Sequence, residues 1–97
     1  MIARVARFKQ QPERFTSGDY RWVLDVISRA DGFEAAYHLI DEENGDSISI
    51  SIFKNEDAAR TAEEQVGHAR QRLGVTASPP DAVEMWRVVD RTHPLGE

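Results

Sequence analysis

Residues 47–53 read Ser-Ile-Ser-Ile-Ser-Ile-Phe, and residues 54–59 follow at once with Lys-Asn-Glu-Asp-Ala-Ala. Strict alternation of a small polar with a β-branched residue marks a strand, because successive side chains point to opposite faces. The pattern turns helical within two residues, so a central strand feeds straight into a helix. That junction constrains the architecture more than any other segment. It says nothing about chemistry.

The rest of the chain arranges itself around the junction. Residues 2–9 read as a first strand, with Ile2, Arg4, Ala6 and Phe8 on one face and Ala3, Val5 and Arg7 on the other. Pro12 breaks it, since proline cannot donate to a ladder. Ser17 or Asp19 can cap a helix running to about residue 28, whose apolar stripe is Tyr20, Val23, Leu24 and Ile27, flanked by Trp22 and Val26. Gly32 follows and suits a left-handed stop. A second strand is expected over 33–41, with Phe33, Ala35, Tyr37 and Leu39 alternating with Glu34, Ala36, His38 and Ile40. Asn44-Gly45 is a strong hairpin signal leading into the third strand. The three isoleucines of that strand share a face, and their burial predicts that Ile50→Asp abolishes folding.

Asn55 is placed to cap the second helix, with Glu56 and Asp57 in the first turn where the helix dipole favours negative charge. The expected buried stripe is Ala58, Ala62, Val66, Ala69 and Leu73, and Gly74 ends the helix. A Pro-rich loop precedes a fourth strand over 82–90. There Val83, Met85, Arg87 and Val89 oppose Glu84, Trp86 and Val88. Residues 91–97 are expected to form a frayed tail to one domain spanning 1–97.

The order β-α-β-β-α-β predicts an α+β, ferredoxin-like domain, a four-stranded antiparallel sheet with both helices on one face. Two helices cover one face only, yet apolar residues occupy both. Soluble monomers rarely expose so large an apolar patch. A second copy is the simplest cover, so the chain is expected to be a homodimer in which two sheets pack face to face.

Gly32-Phe33 at the start of the second strand, the turn 41–45, and the junction Ile52-Phe53-Lys54-Asn55-Glu56-Asp57-Ala58 together resemble the antibiotic biosynthesis monooxygenase family, the dimeric α/β barrel group. The resemblance covers nearly the whole chain, through order and spacing more than identity. It implies a cofactor-independent monooxygenase acting on a small aromatic or polyketide-like compound. The alternative is a non-catalytic, dimeric small-molecule-binding or accessory domain. Phe53 stands where the family usually has tryptophan. The haem-degrading branch uses an asparagine on the first strand and a tryptophan and histidine on the second helix. This first strand has no asparagine and this second helix no tryptophan. His68 falls on the helix face with Thr61, Gln65 and Arg72, away from the stripe, so no Soret shift is expected with haemin. The Trp–Ser–Pro–His segment of the oxygenases has no counterpart in 61–72. The chain looks closer to a shorter branch of the group.

Composition narrows the functional classes further. The net charge is −5 and acidic residues are spread throughout, which argues against a nucleic-acid surface. There is no cysteine, hence no disulfide, thiolate nucleophile or cysteine metal site. His38, His68 and His93 have no metal-ligand spacing, and no glycine-rich loop precedes a helix. No cofactor and no metal are therefore expected. No apolar run is long enough for a signal peptide or a membrane span, which places the protein in the cytoplasm.

His38 is the histidine on a predicted strand. It can act as a proton acceptor near neutral pH, or it can simply hydrogen-bond at the sheet edge or dimer seam. Tyr20, Trp22, Tyr37, Phe53 and Trp86 can line a pocket for a planar ligand, or fill core. Ser47, Ser49 and Ser51 form a small polar row that suits a pocket wall or close packing against a partner sheet.

Overall fold

The computed structural model describes residues 1–9, 21–74, 80–92 and 94. Its elements are β1 (Ile2–Phe8), α1 (Arg21–Ser28), β2 (Phe33–Ile40), β3 (Ser47–Phe53), α2 (Glu56–Leu73) and β4 (Ala82–Arg87). They build a ferredoxin-like α+β domain. The sheet order is β2-β3-β1-β4, and all three pairings are antiparallel. The strand–helix junction lies where the alternation placed it. The fourth strand ends earlier, at Arg87 rather than residue 90. The proposed caps Ser17 and Asp19, and the stripe residue Tyr20, lie outside the described residues.

Local chemistry accounts for the ends of α2. Asn55 is extended, and its side-chain oxygen accepts a hydrogen bond from the Ala58 amide at 2.9 Å. A cap of this kind contributes about 1 kcal/mol. Glu56 and Asp57 open the helix, Arg70 and Arg72 close it, and Gly74 stops it in the left-handed conformation. Between β2 and β3, Asp41 organises the turn. Its carboxylate accepts from the amides of Glu43 and Asn44 and from the Asn44 side chain, and its carbonyl accepts from the Gly45 amide. These bonds hold the Asp41 carboxyl below its ordinary range.

Cross-strand register sorts the residues into two faces. Phe8–Ser47, Ala6–Ser49, Arg4–Ser51 and Ile2–Phe53 are direct partners, and Ser47, Ser49, Ser51 and Phe53 are all buried. This is the face that the helices cover. Ile48, Ile50 and Ile52 pair with Arg7, Val5 and Ala3 on the opposite, open face and are only half-buried. The isoleucines therefore lie outside the core of the single chain, and the serines lie within it. The reason is volume. α2 buries Ala59, Ala62 and Ala69, small residues that bring a helix close to the sheet, and serine leaves the room that isoleucine would take. Packing of the serine row against a partner sheet is thereby excluded.

Two further expectations are corrected. The buried stripe of α2 uses Ala59 rather than Ala58, which is half-buried, and Leu73 is 54% exposed at the helix end. In β2, Phe33 pairs with Phe53 but Ala35 pairs with Ile52, so Glu34 is an extra residue at a bulge. The bulge moves Phe33 to the covered face with Ala36, His38 and Ile40. Phe33 meets Phe53 edge to face, with ring centroids 5.9 Å apart. Phe53, Ala30, Ala59 and Ala62 form the core cluster, with Phe33 and Ala58 against it.

Candidate functional site

β2 is an edge strand, and α1 packs beside it. Between them runs an open cleft of about 450 Å³, lined by Leu24, Ile27 and Ser28 of α1 and by Phe33, Ala35, Ala36, Tyr37 and His38 of β2. The apolar face of α1 supplies one wall, with Val23 and Ile27 buried behind it. Ala35 and Ala36 supply the space, because two consecutive alanines leave the strand bare on both faces at one level. The volume suits a small organic ligand.

His38 brings polar chemistry into this largely apolar cleft. His38 lies on the covered face opposite Ser49, and burial holds its imidazole below the ordinary 6.5. Burial thus favours the neutral ring, the form that accepts a proton. Tyr37 is in the lining, but its side chain lies on the other face opposite Ile50 and is 55% exposed. Ser28 is committed at its hydroxyl, which donates to the Asp25 carbonyl at 3.0 Å.

The remaining residues singled out in the sequence lie elsewhere or outside the description. Phe53 is buried in the core and does not line the cleft. Trp86 is on β4, at the opposite edge of the sheet from β2 and on the open face, 58% exposed. Trp22 is half-buried on α1 but is absent from the cleft lining. Tyr20 and His93 lie outside the described residues. His68 is exposed on α2 and does not reach the cleft, as its helical phase implied. Among the described residues there is no group of three His, Asp or Glu placed to hold a metal. The cleft residues missed in the sequence are Leu24, Ile27, Ser28, Phe33, Ala35 and Ala36. The alanine pair within a strand was the available signal, since a well-packed strand seldom leaves two neighbouring positions so small.

Comparison with solved structures places this geometry. SnoaB, a cofactor-independent oxygenase from Streptomyces nogalater, superposes with a TM-score of 0.64 at 20% identity, covering 99% of this chain and 97% of that one. The monooxygenase ActVA-Orf6 of Streptomyces coelicolor, in complex with nanaomycin D, superposes at 0.64 with 15% identity, covering 96% and 91%. This chain has the fold of the antibiotic biosynthesis monooxygenases. MhuD, with two manganese protoporphyrins bound per active site, superposes at 0.71 with 8% identity, covering 97% and 100%. No family model and no curated protein matches the sequence. The fold is thus shared by oxygenases and a porphyrin-binding protein alike.

Proposed function

We propose that this protein is a dimeric, cofactor-independent monooxygenase that binds a small aromatic or polyketide-like compound in the α1–β2 cleft, with His38 as its proton acceptor. The observation that carries the reading is the placement of His38 in the lining of a largely apolar cleft of about 450 Å³. The fold shared with SnoaB and ActVA-Orf6 supports it. The chemistry asks little more of the protein. A ring methylene acidified by a neighbouring carbonyl gives one proton to His38. The resulting carbanion adds dioxygen, and His38 returns the proton to the peroxide. Loss of the second C–H proton with hydroxide, together one water, leaves a carbonyl. In sum CH2 + O2 gives C=O + H2O: the carbon loses four electrons and dioxygen takes all four. The apolar walls favour the uncharged base.

Oxygen uptake with a panel of anthrone-type phenols tests the reading. Wild type is expected to consume one dioxygen per substrate, and His38→Gln to lower kcat by about 100-fold. Unchanged turnover in His38→Gln overturns the assignment of the base.

A second reading rests on a different observation. The space directly between the sheet and the helices is filled, with Ser47, Phe53, Ala59 and Ala62 each about 1% exposed. A filled interior suits an accessory domain that binds a small molecule without transforming it. Saturable quenching of tryptophan fluorescence by the same phenols, with no oxygen uptake, selects this reading.

The dimer belongs to both readings. The open face carries Val5, Ile48, Ile50, Ile52, Tyr37 and Leu39, an apolar surface that a second sheet covers.

A further inference from the structure

The open face is apolar but not uniformly so. Register places twelve strand residues on it: Ala3, Val5 and Arg7 of β1, Ala35, Tyr37 and Leu39 of β2, Ile48, Ile50 and Ile52 of β3, and Ala82, Glu84 and Trp86 of β4. Two of these are charged, and they are paired. Arg7 Nε donates to Glu84 Oε2 at 2.8 Å. The other carboxylate oxygen, Oε1, accepts from the Trp86 indole N–H at 2.9 Å. One carboxylate thus holds a guanidinium on one side and an indole on the other.

Three consequences follow for a partner. The chain carries a net charge of −5, so two copies repel each other in general. The register-paired strand residues of the open face sum to zero, so the repulsion is weaker where a second copy would land. Trp86 is 58% exposed, the largest apolar side chain on that face, yet its ring is fixed by the bond to Glu84. A large aromatic ring already held in place loses little rotamer freedom on binding. Tryptophan is also the side chain most often found to dominate interface energetics.

We infer that Trp86, pinned by Glu84 and Arg7, is the anchor on which a second copy of this chain seats its sheet. The inference rests on the proposed dimer and goes beyond it, because it assigns the binding energy to one corner of the face rather than to the isoleucine row. Arg7 holds Glu84 in its charged form, and the two hydrogen bonds keep that carboxyl below its ordinary range. The arrangement is self-contained in each copy, as a twofold interface requires when both partners present the same patch.

Sedimentation velocity across the micromolar range separates the outcomes. Wild type is expected to dimerise. Trp86→Ala is expected to weaken dimerisation by about 30-fold or more, and Glu84→Gln by about tenfold, because it leaves Arg7 unpaired in the interface. Trp86→Phe keeps a ring but loses the N–H bond, and is expected to fall between wild type and Trp86→Ala. In a Trp22→Phe background, Trp86 emission is expected to shift to the blue as concentration rises. Trp86 is exposed and Glu84 half-buried in the single chain, away from its core cluster, so circular dichroism is expected to show each of these variants folded. Dimerisation of Trp86→Ala equal to wild type overturns the anchor, and Trp86→Phe equal to wild type overturns the role of the Glu84 bond. A wild type that stays monomeric overturns the dimer itself, a distinct result.

Discussion

At Gly32 the backbone and the packing make the same demand. Its φ is +81°, and a methyl added there would sit 2.8 Å from the Ala58 side chain. Its carbonyl accepts from the Lys54 amide at 2.7 Å, which ties the start of β2 to the end of β3. Gly32→Ala is expected to destabilise the fold by about 2 kcal/mol, since it meets both a left-handed backbone and a clash with the Ala58 side chain. A urea denaturation midpoint unchanged from wild type would contradict this. His38 carries the pH dependence. Its folded value lies below the unfolded 6.5, so in between the unfolded chain binds more protons. The stability tied to the neutral ring is complete above 6.5 and is lost as pH falls through it toward the folded value. The same neutral ring serves as the base, so kcat is expected to fall on the acid side of a point below 6.5 and to be flat above it. Tm measured between pH 5 and 8 is expected to vary less in His38→Gln than in wild type.

Among the elements, β3 shows how far a pattern carries. Its limits and its alternation are legible from residue types alone, because period-two polarity fits a strand and does not fit a helix. Which of its faces turns toward the helices is not. Hydrophobicity assigns the isoleucines inward, and the alanines of α2 reverse that assignment by demanding small partners. Ser49→Val is therefore expected to overpack the space beneath α2 and to cost about 1–3 kcal/mol, read as a lower Tm. A variant as stable as wild type would place the serine row in open space. β2 teaches the same lesson through its bulge. Period-two counting from Phe33 puts that residue with Tyr37, whereas one extra residue at Glu34 puts it with His38. The candidate site was half legible for this reason. His38 and Tyr37 stand out by chemistry, but the cleft they share is made by α1 leaning on an edge strand. Trp86 and Phe53 stand out equally and belong to other places.

For the molecule as a whole, coverage is the controlling quantity. α1 and α2 pack against β1, β2 and β3 from one side. The other side keeps Tyr37, Leu39 and Trp86 about half exposed. Ile50 lies in the middle of that side. Ile50→Asp is thus expected to leave a folded, cooperatively melting chain, about 1 kcal/mol less stable, that no longer dimerises. Sedimentation and thermal melting together test this. Loss of all structure would return Ile50 to the core and reverse the assignment of the faces.

The order of strands and helices, the caps of α2, and the excess of apolar surface over helical cover were determined by the sequence alone. Each depends on neighbours within a turn or a strand, and residue type encodes such short-range preferences directly. The choice of covered face, the bulge that turns Phe33 to that face, and the corner formed by Arg7, Glu84 and Trp86 were decided only in the tertiary structure. Those depend on volumes and registers set between segments distant in the chain, where a serine and an isoleucine compete for one space and the approach of a helix settles which of them it holds.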